Sequence, residues 1–394
     1  MISSLSYEVE LLSRMVEIDT NVATGEGYRE FAKHMVEEAR HLGLEVKVHD
    51  AVIEATDGRS RPNIIVNLNA PTDRTLILAA HYDTVPPGEG WRYEPLKLTV
   101  KGNRGYGRGA CDNKGDIAAA FGALRELSKK SQVKRNVVLA LTPDEEVGGE
   151  LGLGFLARKN LLKGEGAVVM DGSPEAVVVG TSGVVWGSIM VQGVGGHAGY
   201  PHTAVNPIEK AITLLEGLKD YSRIRGEKRS NLPSPPGSPF EKVWGRFTVT
   251  MIKAGVKENV IPNSCEIRFD MRLCPEEKLS SAIGEFRKYF QALVKRHGLK
   301  ANLTILKQWT PSYIDPKHPL VEEFREAVKW ALKREVGVIG ELGANDAQHI
   351  YRQMPTITYG VIRGDSNIHG ADEYVRFKDV QTVRDALIKF CLKE

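Results

Sequence analysis

With 394 residues the chain is longer than one compact core usually holds, and 42% hydrophobic with 26% charged residues is the composition of an ordinary globular protein. A net charge of +3, from 53 basic and 50 acidic side chains in only short basic runs, offers no stripe for nucleic acid. Four cysteines without a CxxC pair, acidic Glu8 and Glu10 inside the N-terminal apolar pattern, and no apolar run near the roughly 18 residues of a membrane span argue against a disulfide scaffold, a signal peptide and a membrane partner. The expectation is a cytoplasmic protein with a small-molecule or peptide partner.

In chain order, apolar residues at helical spacing predict helices over about 4–19, 27–42, 115–128 and 151–161. β-Branched runs predict strands at 63–69, 75–80, 136–141 and 167–171, and the mixture argues for an α/β layer with helices on both sides of its sheet. The style changes at Thr181-Ser182-Gly183. A strand at 187–193, a helix over about 207–218, strands at 246–252 and 265–271, a helix over about 276–297 and a strand at 301–306 spell β-α-β-β-α-β, the signature of a small split βαβ sandwich. SNLPSPPGSPF (230–240) reads as a proline-rich surface loop. Helices near 318–334 and 377–391 and a strand at 356–360 return to the first style. The expected division is a discontinuous larger domain, 1–180 and 311–394, with 181–310 inserted; an insertion of this kind creates a cleft of the sort that ligands favour.

Ligands in open α/β sheets bind beyond the carboxyl ends of the strands. The polar residues there are His81 and Asp83 after LILAA, Asp144, Glu145 and Glu146 after VVLALTP, and Asp171 after AVVM. Asp112 lies in the glycine-bracketed loop RGACDNKGD, and His369 in SNIHGADEY. Singly each has a structural reading, as a strand-end histidine, a helix cap or an Asp-Gly turn. Together they would be costly to bury without cations. Zinc accepts imidazole nitrogen and carboxylate oxygen, and two ions about 3.5 to 4 Å apart need a bridging carboxylate. Two terminal ligands per ion and one bridge make five residues, which the set can supply with Glu145 left free to act as general base and then acid. Asp83 is near enough to His81 to hold its second ring nitrogen. Pro86 and Pro87 stop the strand, so the His-x-Asp unit sits at its tip.

At this point AAHYDTVPPGEGWRYEP, YGRGACDNKG, TPDEEVGG, GVGGHAGYPHTAVNPI, NVIP and IHGADEYV resemble, in order and spacing, the signature blocks of a dinuclear-zinc family. That family contains succinyl-diaminopimelate desuccinylase, acetylornithine deacetylase, aminoacylase and glutamate carboxypeptidase, and the likeness runs over practically the whole chain. It implies a zinc-peptidase-like α/β/α sandwich with an inserted β-α-β-β-α-β dimerisation (lid) domain. It implies one zinc on His81 and Asp171, a second on Glu146 and His369, Asp112 as bridge, Glu145 as base and Asp83 as support for His81. Cobalt or manganese suits the same ligands. It further implies a homodimer in which His197 stabilises the oxyanion in the partner subunit's site, with Asn259 nearby.

Period-two alternation in CEIRFDMRL puts Arg268, Asp270 and Arg272 on one face, and Arg272 occupies the position of the arginine that binds the substrate carboxylate in relatives. An ion pair with Asp270 competes with that role. Where relatives commonly read Gly-Gly-Thr-Asp, this chain has Gly343-Ala344-Asn345-Asp346, so Asn345 is the expected place for altered contacts to an acyl group. The implied activity is metal-dependent hydrolysis of an N-acyl amino acid, with a metallocarboxypeptidase or dipeptidase as the alternative. A serine nucleophile has no G-x-S-x-G to stand on, and a metal-binding scaffold would have no use for the spare carboxylate of Glu145.

Overall fold

The computed structural model describes residues 6–392; positions 4 and 5 of the helix expected over 4–19 lie outside them. The chain forms two compact units. One runs to Val179 and resumes over Ile314–Ile339 and from Asn345, and the other comprises Gly180–Tyr313 and Gly340–Ala344.

In the larger unit the β-branched runs join one sheet. Its order is Glu45–Asp50, Pro62–Leu68, Asn136–Thr142, Thr75–His81, Gly166–Val169, Thr356–Thr358 and Ala176–Thr181. From Asn136–Thr142 to Thr356–Thr358 neighbouring strands are parallel. Leu76 and Leu78 on one face and Ile77 and Ala79 on the other are all buried, which is why the sequence shows an apolar run there and not an alternation. The helices Leu153–Arg158 and Ala347–Ile350 cover the Ile77 face through Leu153, Leu156 and Ile350. Lys114–Leu127 packs against the sheet and is itself packed against Ser6–Glu17 and Phe377–Cys391. It is buried almost all round, which the small side chains of IAAAFGAL permit. Parallel strands end on the same side, so His81 and its register partner Thr142 close the sheet's carboxyl edge together.

The strand Glu45–Asp50 is absent from the sequence-based expectation because EVKVHD exposes four of its six residues and carries no apolar run. The helix expected over 151–161 is shorter, Leu153–Arg158, and Asn160 just after it adopts φ +53°, a left-handed conformation that cannot continue a helix.

The smaller unit has the β-α-β-β-α-β order. Its antiparallel sheet runs Arg246–Ala254, Ser264–Leu273, Gly183–Gln192, Ala301–Trp309. Pro207–Gly226 and Leu279–Arg296 lie against one face, enclosing Ile189, Val191, Leu214, Leu218, Tyr221, Phe247, Ile267, Phe269 and Phe286. The first helix outruns its expected end at 218 because Tyr221 and Arg225 are also buried. The second starts at Leu279 and not 276, because Glu276 and Glu277 spend their carboxylates on Asn231 N–H and Cys274 N–H. The proline-rich stretch is not wholly loop. Arg229–Pro233 pairs with Lys242–Trp244, buries Leu232 and Val243, and leaves the remaining prolines to the turn. No helix among the described residues is long and apolar enough to cross a membrane, and Cys111, Cys265, Cys274 and Cys391 are free and buried.

Phe286 is fully buried and meets Tyr221, Phe247 and Phe269 at centroid distances of 4.9 to 5.1 Å. Phe286→Ala should therefore destabilise the smaller unit by about 3–5 kcal/mol, measured as a lower urea midpoint in the full-length protein.

Candidate metal centre

Strand ends and the loops that follow them deliver the side chains. His81 is the last residue of Thr75–His81, Asp171 follows Gly166–Val169, and Glu145 and Glu146 open the single turn Glu145–Val147 beyond Asn136–Thr142. Asp112 precedes the helix Lys114–Leu127, and His369 lies in the loop after Thr356–Thr358 with φ +62°.

Asp112 stands in the middle. Its Oδ1 is 3.0 Å from His81 Nε2 and its Oδ2 is 3.1 Å from His369 Nε2, which is also 3.1 Å from Glu146 Oε2. Donor atoms of His81, Asp112 and Asp171 lie within 4.8 Å of one another, as do those of Asp112, Glu146 and His369. The result is two candidate metal-binding clusters that share one carboxylate.

The electrostatics follow from that crowding. Burial opposes the Asp112 charge, yet hydrogen bonds from His369 and His81 hold its pKa below the usual carboxylate range. The same bonds from Asp112 and Glu146 raise the His369 imidazole to about 10. Burial pushes Asp171 and Glu146 up, and the nearby Asp112 charge adds to both shifts. Glu146 Oε1 is buried without a hydrogen-bond partner. An orphaned carboxylate oxygen among imidazoles and further carboxylates is a donor set that fits divalent cations of the zinc, cobalt or manganese kind. Glu145 differs from its neighbour. Its carboxylate makes no hydrogen bond among the described residues, its pKa is raised well above the usual range chiefly by burial, and it lines a narrow recess with His81, Asp171 and Asp346.

Several buried polar groups hold these side chains in place. The Asp83 carboxylate accepts the N–H groups of Glu145 and Glu146, each at 3.1 Å, while His81 Nδ1 lies 3.1 Å from the Asp83 backbone oxygen and 3.4 Å from its Oδ1. One side chain thus ties the imidazole to the glutamate turn. That turn begins at Asp144, whose left-handed φ of +64° is held by bonds from Tyr28 Oη and Arg61 Nε. Glu373 does the same for the Asp112 loop: Oε1 accepts the N–H groups of Cys111 and Asp112 at 2.9 and 3.0 Å, and Oε2 accepts Gly109 N–H and Arg108 Nη1. Sequence reasoning passed over Glu373, Arg61 and Tyr28. Glu373 sits inside the quoted block IHGADEYV, but nothing local announces that its partners lie more than 260 residues earlier.

The remaining expected site residues fall as follows. Asn345 is buried in the larger unit and commits its amide to Asp171 O (3.4 Å), Thr358 Oγ1 (3.2 Å) and Ala347 N–H (3.0 Å). His197, Asn259 and Arg272 belong to the smaller unit. His197 is exposed on the two-residue strand Gly196–His197, its Nδ1 accepts Gly199 N–H, and the Asn259 carbonyl accepts the next N–H, that of Ala198. Arg272 directs Nε and Nη2 to the two oxygens of Asp270 at 2.8 and 3.0 Å.

The family model for peptidase family M20/M25/M40 matches residues 77–393. The chain belongs to that family. M20/M25/M40 members hydrolyse amide or peptide bonds, and the paired clusters are this member's candidate metal-binding sites. Among curated relatives, a succinyl-diaminopimelate desuccinylase of Variovorax paradoxus is 30% identical over 333 residues, 80% of each chain. An uncharacterised metallohydrolase of Methanocaldococcus jannaschii is 27% identical over 344 residues, 82% of each. Among solved structures, an M20 family metallo-carboxypeptidase of Sulfolobus solfataricus superposes with a TM-score of 0.79 at 18% identity over 98% of both chains. A tripeptidase of Staphylococcus aureus gives 0.78 at 19% identity, covering 98% of this chain and 97% of its own. At those identities the two structures establish the two-part fold of the M20 member.

Because Glu373 fixes the backbone from which Asp112 projects, Glu373→Ala is expected to weaken divalent-metal affinity about 10–100-fold. Competition with a chromophoric chelator measures it, with far-UV circular dichroism to verify that the fold persists.

Proposed function

We propose that this chain is a dinuclear metal amide hydrolase that deacylates N-acyl amino acids. The observation that carries the reading is the Asp112 carboxylate set between two imidazoles with the unengaged Glu145 carboxylate beside it. In this reading His81 and Asp171 would hold one zinc and Glu146 and His369 the other, with Asp112 shared between them and cobalt or manganese as alternative ions. Such cations would supply Lewis acidity toward a water and toward the scissile carbonyl.

Glu145 takes a proton from the attacking water and returns it to the leaving nitrogen, a task that its raised pKa suits. Asp83 keeps His81 oriented and holds the glutamate turn. Arg272 takes the substrate carboxylate with the part of its guanidinium fork not engaged by Asp270. Asn345 bears on the acyl side through the position it gives to Asp171. His197 of the partner subunit donates to the developing oxyanion, near Asn259. An acceptor bond at Nδ1 leaves the neutral ring's proton on Nε2, the donor such a role needs.

The homodimer in this proposal forms through the inserted domain, 181–310. Support comes from Ile208 and Ile212, exposed one turn apart on Pro207–Gly226, and from Met251 and Ile252, exposed on the edge strand Arg246–Ala254. A metallocarboxypeptidase or dipeptidase is the second reading, favoured by the carboxypeptidase and tripeptidase that share the fold.

Chelation should abolish hydrolysis and added divalent metal restore it. Glu145→Gln should retain both ions by elemental analysis while kcat falls about 10²–10⁴-fold; a variant that keeps its activity would remove Glu145 from the mechanism. Rates on N-acetyl amino acids, N-succinyl amino acids and dipeptides separate the two readings. Ile212→Asp should convert dimer to monomer in sedimentation velocity.

A further inference from the structure

The helices of the smaller unit cover one face of its sheet, and the other face is open. In the row nearest the start of Gly183–Gln192, Arg246, Arg272, Val184 and Trp309 are successive cross-strand partners. The next row is Thr248, Asp270, Trp186 and Lys307. Met271 and Leu273 point to the helices, so Arg272 and Asp270 point to the open face. Trp186 is 40% exposed and stands edge-on to Trp309, with ring centroids 4.7 Å apart.

Asp270 ties this group together. Its carboxylate accepts both bonds from Arg272 and a third, at 2.7 Å, from Trp186 Nε1. The indole is therefore pinned at a set distance from the guanidinium and does not lie loosely on the surface. Arg246 hydrogen-bonds neutral oxygens, those of Trp244, Ser182 and Leu342, and neither nearby carboxylate, Asp270 nor Glu341, bonds it. Burial, with the Arg272 charge adding to it, lowers the Arg246 pKa to about 10 against the opposing pull of the Asp270 and Glu341 carboxylates. One step along the same strand the pattern stops: Arg268 is matched by Glu266, and Ser188 also bonds Glu266. The surplus charge and the paired indoles coincide only at the Arg272 end.

We propose that this end of the open face is a side-chain subsite, where Arg272 and the Trp186–Trp309 pair together select substrates whose carboxylate-bearing residue has an aromatic or bulky apolar side chain. The inference rests on the amide-hydrolase reading of Arg272 given above. A carboxylate complements the surplus guanidinium charge, and an apolar ring or branched chain beside it covers indole surface that water otherwise wets. An acidic side chain would forgo that burial, and the Lys307 ammonium, 5.3 Å from the Trp309 ring centroid, is the charge it would meet there.

The test uses the metal-loaded full-length protein with N-acetyl-phenylalanine, N-acetyl-leucine, N-acetyl-alanine and N-acetyl-glutamate. The phenylalanine and leucine derivatives should exceed those of alanine and glutamate in kcat/KM by about tenfold or more. In Trp186→Ala and Trp309→Ala the phenylalanine-to-alanine ratio should fall toward one, and Trp186→Phe should keep most of it. An unchanged ratio in a variant whose far-UV circular dichroism is that of the wild type would overturn the subsite. So would a wild-type protein that hydrolyses alanine or glutamate derivatives as well as phenylalanine, although the amide-hydrolase reading would then stand. Hydrolysis of none of the four, nor of dipeptides, overturns both.

Discussion

A carboxylate held between two imidazoles is the contact on which the larger unit turns. Acids gathered in a buried space repel one another and resist ionisation, and each must be matched by a donor or a cation. Asp112 is matched on both oxygens by His81 and His369, and its own backbone N–H is fixed by Glu373. Asp83 in turn has two backbone donors and an imidazole around it. Two of the acids that lack full matching, Glu146 with its orphaned oxygen and Glu145 in its recess, are the ones for which metal binding and proton transfer are proposed.

Two glutamates adjacent in sequence come to different surroundings because they occupy one tight turn. Successive side chains in a 3₁₀ turn diverge by about 120°, so Glu146 reaches His369 while Glu145 does not. The turn keeps its pitch through Asp144, a non-glycine residue in left-handed conformation clamped by Arg61 and Tyr28. The fold thus spends a buried ion pair, a tyrosine hydroxyl and a strained residue on aiming one carboxylate. The smaller unit makes a different kind of provision, in which Asp270 ties an arginine and a tryptophan to one carboxylate on an otherwise open sheet face.

Much of the architecture was legible because it is periodic. The parallel strands at 75–81 and 136–142 are long apolar runs, the helices at 28–41 and 377–391 keep a 3.6-residue repeat, and their observed limits differ from expectation by a residue or less. What escaped notice lacked a pattern. Glu45–Asp50 is a polar edge strand, and the ribbon formed by Arg229–Pro233 with Lys242–Trp244 hides two buried residues among prolines. In the candidate centre, polar residues directly beyond apolar runs identified His81, Glu146 and Asp171, since parallel strands must release their chains on one side. Asp112 and His369 came from loop motifs, and Glu373 was overlooked although it lies four residues beyond His369.

The sequence by itself determined the order of elements, the collection of acids and imidazoles at strand ends, and the family to which their motifs belong. These are properties of local composition and spacing along the chain. Only the tertiary structure decided that the two oxygens of Asp112 face different imidazoles, that Glu373 reaches back across the unit to hold the Asp112 loop, and that Trp186 shares a carboxylate with Arg272. Hydrogen bonds between residues dozens or hundreds of positions apart leave no periodic trace in the chain, because their geometry exists only after the sheet has set which strand ends and which faces are neighbours.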